Sequence, residues 1–233
     1  MKTAVELFTF EEMPAASPYV SGAWRTRSVP EEAFISVAAV QWEMVVTEQD
    51  TGTTLTVRGP ETRATTAPIP QDAEFFGIPF TLGTFMPGIA PRQLVDRDLT
   101  LPLVSKRSFW LDGSAWELPT PDNADVFVDR LIRAGLLVHD HVVAAALDAT
   151  GEREGEVEDL STRTVERRVA QATGLTRGTI RQVRRAERAV ELLRHGVPPL
   201  DVVREAGYAD QPHLTRSLKR FVGQTPSEVA AGA

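Results

Sequence analysis

The sequence contains no cysteine, which excludes disulfide bonds, thiolate zinc ligands and a thiol nucleophile. All four histidines lie at or after His139, so residues 1–138 lack the imidazole ligands on which most transition-metal sites depend. No apolar run approaches the ~18 residues of a membrane span, and the first twenty residues lack the apolar core of a signal peptide. We therefore expect a cytoplasmic protein with no membrane contact, no metal and no cofactor.

The charge is distributed unevenly along the chain. The 233 residues carry 25 Lys and Arg against 32 Asp and Glu, a net charge of −7, which by itself argues against a polyanionic partner. Residues 1–160 hold 12 basic and 25 acidic residues, a net charge of −13, whereas residues 161–233 hold 13 basic and 7 acidic residues, a net charge of +6. This asymmetry predicts two modules with different partners.

Residues 19–118 have the pattern of a β-rich domain. β-branched and aromatic residues over Val40–Thr47, followed by a turn and by alternation over Thr53–Arg58, predict a hairpin. A second strand pair, interrupted by Gly and Pro, is predicted within Glu74–Thr84. Short strands of this kind favour a small barrel or sandwich. The aromatic residues are expected either in its core or around an apolar effector pocket: Trp24, Trp42, Phe75, Phe76, Phe80, Phe85, Trp110 and Trp116.

The pattern becomes helical after residue 119. Asn123 is the predicted N-cap of a helix over Ala124–Ala134, and a second helix is predicted over His139–Thr150. Residues 151–159 are acidic with almost no apolar side chain, which predicts a solvated loop or linker. Caps and terminal glycines then predict five more helices, at 162–173, 179–195, 199–206 and 211–222 and from the capping box at 225–228.

Two of these helices are related by a shift of 49 residues along the chain. The shift matches their N-caps, their apolar anchors, an arginine and the glycine that ends each helix: Ser161 with Asp210, Val165 with Leu214, Val169 with Leu218, Arg167 with Arg216, and Gly174 with Gly223. Because these four kinds of position agree together, we interpret the segment as an internal repeat around the helix Thr179–His195.

Each repeated helix has an apolar face and an opposite face rich in Arg, Thr, His and Gln, which suits the major groove of DNA. Arginine can bind guanine with two hydrogen bonds, His and Thr can contact base edges, and Lys and Arg can neutralise phosphates. The candidate DNA-binding residues are Gln211, His213, Thr215, Arg216, Lys219 and Arg220 in the second unit, and Arg163, Thr164, Arg167 and Gln171 in the first. No catalytic residue and no metal ligand is predicted.

The segment LDVVREAGYADQPHLTRSLKRFVGQTPS, residues 200–227, closely resembles the C-terminal signature of the AraC/XylS family of bacterial transcription regulators. The segment LSTRTVERRVAQATGLTRG, residues 160–178, resembles the first recognition helix of that family. The resemblance implies an α+β, two-domain fold. Residues 1–138 would form a β-rich, cupin-like barrel or sandwich with a terminal helix, and residues 139–233 an all-α double helix-turn-helix domain.

The same resemblance implies the partners. They are double-stranded promoter or operator DNA, a small-molecule effector bound by the N-terminal sensing or dimerising domain, a second copy of the chain, and RNA polymerase. It implies a transcription regulator without enzymatic activity, whose two recognition helices enter successive major-groove faces about one helical turn apart.

The first unit departs from the family pattern, because acidic residues 151–159 occupy the place of its supporting helix. Either this unit is shortened, or the helix predicted over His139–Thr150 supports it. Two other functions stay open at this point. One is a cupin-like enzyme with a helical accessory domain, which the missing histidines disfavour, and the other is a helical module whose basic helices bind an acidic protein.

Overall fold

The structure is a computed structural model that describes residues 1–147 and 160–232. The linker predicted at 151–159 and the end of the helix predicted over His139–Thr150 lie outside these residues. Strands dominate the chain up to residue 117, and helices dominate from residue 124 onward, so the predicted fold class is confirmed. In the described part of the chain, no helix is long and apolar enough to cross a membrane.

The elements follow one another in two groups. The strands are β1 (Glu11–Met13), β2 (Ala23–Arg27), β3 (Ala33–Ser36), β4 (Glu43–Gln49), β5 (Gly52–Arg58), β6 (Thr65–Pro68), β7 (Glu74–Pro79), β8 (Thr84–Phe85), β9 (Asp98–Leu101), β10 (Leu103–Ser105), β11 (Ser108–Leu111), β12 (Ser114–Glu117) and β13 (Val138–His139). The helices are α1 (Ala4–Leu7), α2 (Pro91–Leu94), α3 (Ala124–Arg133), α4 (His141–Ala146), α5 (Thr162–Thr173), α6 (Arg177–Arg194), α7 (Pro199–Glu205), α8 (Gln211–Phe221) and α9 (Pro226–Ala231).

The main sheet has six strands in the order β1-β2-β7-β4-β5-β9, and all its pairs are antiparallel. The predicted hairpin is confirmed as β4–β5, in which Met44 pairs with Val57 and Val46 with Leu55. These side chains share one face of the sheet with Ile78 and are buried there. Strands β1 and β9 are edges of this sheet, and the described sheets do not close into a barrel.

The strand pair predicted within Glu74–Thr84 is wrong. Strand β7 lies between β2 and β4, whereas β8 pairs with β13, where Phe85 faces Val138. Because both edges of β7 are already hydrogen-bonded to other strands, no edge of it is left for a hairpin partner.

Helix α3 forms as expected and Asn123 is its N-cap residue, but the predicted capping by the Asn123 side chain does not occur. The Asn123 Oδ1 atom accepts a hydrogen bond from the Thr120 N–H at 2.8 Å and makes no cap bond to α3. The next helix starts at His141 and not at His139, because the Asp140 carboxylate caps it by accepting from the N–H groups of Val142 and Val143.

The C-terminal helices begin and end close to the predicted residues. The side chains of Ser161, Asp210 and Thr225 cap α5, α8 and α9. Thr176 caps α6, which begins at Arg177, two residues before the predicted start. Helix α4 packs against α5, and the Asp140 carboxylate accepts from the Arg168 Nε–H at 2.8 Å. The structure thus confirms the second of the two readings of the first unit, in which the preceding helix supports α5.

One continuous apolar core joins the sheet to the helices. It includes Ile78 in β7, Leu131 in α3, Val169 in α5, Leu193 in α6 and Leu214 in α8, each of them almost fully buried. Burial of such side chains is the main favourable term in folding.

Within α3, Leu131 and Val126 provide a matched pair that tests this core. Leu131 is 0% exposed and Val126 is 59% exposed. We expect Leu131→Ala to lower the free energy of unfolding by ~2–5 kcal/mol, because it removes buried methyl groups and leaves a cavity. Val126→Ala should change it by less than ~0.5 kcal/mol. Equal effects in urea unfolding experiments would contradict the assigned burial.

Candidate nucleic-acid interface

The helices after residue 140 form two similar pairs on either side of α6. Helix α5 contacts α4 and α6, and helix α8 contacts α7 and α6. The repeat found in the sequence therefore corresponds to two equivalent helices, α5 and α8, which we call the recognition helices. Their supporting helices are α4 and α7.

Helix α8 buries Leu214, Leu218 and Phe221 against the core. The predicted contact residues lie on its other sides. Gln211, Arg216, Lys219 and Arg220 are exposed, and His213 and Thr215 are half-buried. This helix therefore presents three cationic side chains to solvent from one turn and a half of backbone.

Helix α5 repeats this arrangement with two exposed cations instead of three. Val165 and Val169 are buried, whereas Arg163, Arg167 and Gln171 are exposed and Thr164 is half-buried. The Thr164 hydroxyl lies 2.9 Å from the Ser161 hydroxyl at the helix N-cap. Thr164 is thus engaged in the first turn of its own helix.

The predicted residues of α8 differ in how much their neighbours restrain them. The Lys219 ammonium lies 3.3 Å from the Glu228 carboxylate, and the Arg220 guanidinium lies 4.9 Å from the centre of the Phe221 ring. The Thr215 hydroxyl donates to the Gln211 carbonyl oxygen at 3.0 Å. In residues 1–147 and 160–232, no carboxylate forms an ion pair with Arg163, Arg167 or Arg216.

Glu228 remains ionised at neutral pH and so keeps its ion pair with Lys219. Hydrogen bonds from the backbone N–H and the hydroxyl of Thr225, and then from Lys219, lower the pKa of Glu228 to about 2. The distances from its Oε2 atom are 2.6 Å to the Thr225 nitrogen and 2.8 Å to the hydroxyl. This carboxylate caps α9 and also fixes one of the cations of α8.

The turn between α7 and α8 is braced by a stack of side chains. The Arg185 guanidinium lies 5.4 Å from the centre of the Tyr208 ring and donates to the Gly207 carbonyl oxygen at 3.2 Å. The His213 ring packs edge to face against the Tyr208 ring, with 5.2 Å between the ring centres. The Tyr208 and Ser217 hydroxyl oxygens are 3.0 Å apart. Burial raises the pKa of Tyr208, so its hydroxyl stays protonated.

These contacts line a cleft of about 270 Å³ between α6 and α8, which brings several of the predicted residues together. It is lined by Gln182, Arg185, Tyr208, His213, Arg216, Ser217, Arg220 and Phe221. Sequence reasoning placed His213, Arg216 and Arg220 in the site but missed Arg185 and Tyr208. The only signal for Tyr208 was its position directly after the turn glycine, and Arg185 lies on a different helix.

A second cleft, of about 650 Å³, lies in the N-terminal part of the chain. Its lining combines apolar side chains with charged ones: Thr9, Phe10, Glu11, Arg25, Thr26, Arg27, Ser28, Val29, Val46, Glu48, Glu74, Phe75, Phe76, Pro119, Thr120 and Pro121. Arg25 pairs with Glu11 at 2.6 Å and Arg27 pairs with Glu74 at 2.7 Å. Of the eight aromatic residues expected in the core or around a pocket, only Phe75 and Phe76 line this cleft.

Trp110 is 47% exposed, whereas Trp42, Phe76, Phe80 and Phe85 are buried. Among the described residues, no group of three or more His, Asp or Glu side chains is placed to hold a metal ion.

Comparison with known proteins assigns the helical segment. Residues 156–232 match the family model described as a helix-turn-helix domain. The HTH-type transcriptional regulator RipA of Corynebacterium glutamicum is 31% identical over 124 residues, which are 50% of this chain and 38% of RipA. The chain therefore spans well under half the length of that relative.

Two solved structures of ToxT from Vibrio cholerae O395 can be superposed on most of the chain. The first, bound to (E)-4-(8-methylnaphthalen-1-yl)but-3-enoic acid, gives a TM-score of 0.44 at 9% identity and covers 96% of this chain and 99% of ToxT. The second gives a TM-score of 0.43 at 8% identity, with 96% and 97% covered. TM-scores this low do not establish a shared fold.

Proposed function

We propose that this chain, whose residues 156–232 match the model of a helix-turn-helix domain, is a sequence-specific, DNA-binding transcription regulator of the AraC type. One observation supports this most strongly. The recognition helices α5 and α8 are equivalent in sequence and in packing, and both expose arginine on the side opposite their buried face.

The chemistry of these side chains suits a major groove. We propose that Arg167 and Arg216, which occupy the same position in the two units, read guanine through its O6 and N7 atoms. Lys219 and Arg220 neutralise phosphates, and Gln211, His213 and Thr215 contact base edges or sugar–phosphate groups. In the first unit, Arg163, Thr164 and Gln171 have the corresponding roles.

The domain boundary belongs to the same proposal. Residues 1–138 form the sensor domain, and residues 139–233 form the DNA-binding domain. A homodimer, a contact with RNA polymerase and a cytoplasmic location stay predictions, as does the absence of enzymatic activity. The alternative of a cupin-like enzyme gains no support from the comparisons. The other alternative, a helical module that binds an acidic protein, differs from a regulator in that it would show no preference among DNA sequences.

The most direct test of the function is selection of DNA from a random pool by the full chain. We expect enrichment of a motif with two half-sites about one helical turn apart, because two recognition helices are present. Binding should also weaken steeply with salt, since cations contact phosphates. If no motif is enriched although the pool is retained, the protein does not read sequence, and the module that binds an acidic partner becomes the better account.

Arg216→Ala and Lys219→Ala should separate base reading from phosphate contact on the selected duplex. We expect Arg216→Ala to cost ~1–3 kcal/mol of binding and to relax the preference at one base pair. Lys219→Ala should weaken all sequences alike and lower the salt slope by about one. Arg107→Ala, which removes an exposed cation from the β11 region, is the control and should change neither. Unchanged base preference in Arg216→Ala would contradict the groove assignment.

We propose further that the 650 Å³ cleft of the N-terminal domain binds the effector. Its phenylalanine and proline side chains suit an apolar ring, and a ligand carboxylate would replace Glu11 or Glu74 as the ion-pair partner of Arg25 or Arg27. We expect 1-naphthoate to raise the Tm of the full chain, because a ligand that binds only the folded state stabilises it. Arg25→Gln should abolish the rise and Arg107→Gln should preserve it. Equal rises in both variants would place the ligand elsewhere.

A further inference from the structure

The two recognition helices end on the same short segment of the N-terminal domain. The Ala172 carbonyl oxygen in α5 accepts a hydrogen bond from the Trp42 Nε1–H at 3.1 Å. The Phe221 carbonyl oxygen in α8 accepts from the Ala38 backbone N–H at 2.8 Å. Ala172 and Phe221 are 49 residues apart, which is the period of the repeat. Equivalent atoms of the two units are therefore bound by donors within residues 38–42, a segment between β3 and β4 that we call the strut.

The strut contacts are buried as well as equivalent. Trp42 is 2% exposed, Ala38 and Phe221 are each 3% exposed, and Ala172 is 2% exposed. The last carbonyl groups of a helix have no partner within the helix, and a buried carbonyl without a partner costs free energy. The strut supplies the missing partners, so each helix end is tied to one place on the N-terminal domain.

The glycines that end the two helices fit the N-terminal domain too. A Cβ atom on Gly174 would lie 2.8 Å from the Val95 Cγ2 atom, and one on Gly223 would lie 2.9 Å from the Ile35 Cγ2 atom. Gly174 and Gly196 have the same left-handed backbone, with φ of +73° and +80°, yet a Cβ on Gly196 would meet no described atom within 4 Å. The close fit is thus a property of the recognition helices and not of helix ends in general.

We propose that the strut fixes the separation and orientation of the recognition helices, and that Trp42 is a positioning residue that sets the spacing of the DNA half-sites. This inference rests on the proposed function. An insertion of two base pairs between half-sites rotates one relative to the other by about 70°. A rigid protein cannot follow that rotation, whereas a protein with a loosened helix can.

Trp42→Phe is the test variant, and Trp116→Phe is its matched control. Both replace an indole with a phenyl ring in the N-terminal domain. The Trp42 N–H is donated to Ala172, whereas the Trp116 Nε1 atom has no hydrogen-bond partner among the described residues. Trp116 is half-buried whereas Trp42 is 2% exposed, so Trp116→Phe controls for the loss of an indole and not for the cavity that Trp42→Phe leaves. The glycine variants described below leave no cavity and separate the two effects.

The first readout measures the helices without DNA. The chain has no native cysteine, so spin labels attach only at Glu166→Cys in α5 and Gln211→Cys in α8. We expect one narrow distribution of label distances in the parent and in Trp116→Phe, and a broader one in Trp42→Phe. An unchanged width in Trp42→Phe overturns the proposal.

The second readout measures spacing on DNA. The probes are the duplex selected by the parent chain and the same duplex with two base pairs inserted between its half-sites. We expect Trp42→Phe to reduce the preference for the original spacing by about fivefold, the equivalent of one hydrogen bond. Unchanged preference overturns the claim about spacing even if the label distances broaden. If the parent chain selects no duplex, both the proposed function and the claim about half-site spacing are wrong. The label distances, which need no DNA, still test whether the strut fixes the two helices.

A second pair of variants covers the case in which Trp42→Phe does not fold. Gly174→Ala places a methyl group against Val95, and Gly196→Ala places one in open space at nearly the same φ. Backbone strain is therefore shared, and contact with the N-terminal domain differs. We expect Gly174→Ala alone to alter the label distances and the spacing preference. Equal behaviour of the two glycine variants overturns the proposal.

Discussion

The arrangement of this molecule depends on how the ends of its two recognition helices are satisfied. The last carbonyl groups of α5 and α8 have no partner within their own helix, and the N-terminal domain supplies the donors that bind them. The Ala64 N–H adds a third bond, to the Arg220 carbonyl oxygen at 2.8 Å. Because these donors belong to another part of the chain, neither recognition helix is positioned by its own supporting helix alone. The two units are held by a shared scaffold, and their spacing follows from it.

These contacts join uncharged groups, so the acidic and basic parts of the chain are held together here without ion pairs. An acidic body of net charge −13 carries a basic segment of net charge +6 without direct ion pairs at the strut. Hydrogen bonds from an indole and from amides are not weakened by the salt that screens surface charge. The cations predicted to contact DNA, Arg163, Arg167, Arg216, Lys219 and Arg220, stay exposed, whereas Arg168 of α5 pairs with Asp140. The same helices can therefore bind the body through their ends and a polyanion through their sides.

Sequence reasoning predicted the helical half well, because the signals there are local. Ser161, Asp210 and Thr225 cap their helices within three residues along the chain, and the apolar period of each helix indicates its buried face. It failed where the partner is distant. Strand β7 pairs with β2 and β4, which come earlier in the chain, and not with the next strand, β8. The missing side-chain cap at Asn123 is a local failure, because its Oδ1 atom accepts from the Thr120 N–H three residues away. Trp42 was expected only to fill a core or line a pocket, since its acceptor lies 130 residues further along the chain.

Methylation of guanine N7 in the major groove of the selected duplex tests the central claim most directly, because it reports both recognition helices at once. The account predicts two groups of protected guanines on one face of the duplex, about ten base pairs apart, when the full chain is bound. Protection of one group alone, or of guanines spread without a fixed interval, would contradict an arrangement in which one scaffold holds two groove-reading helices.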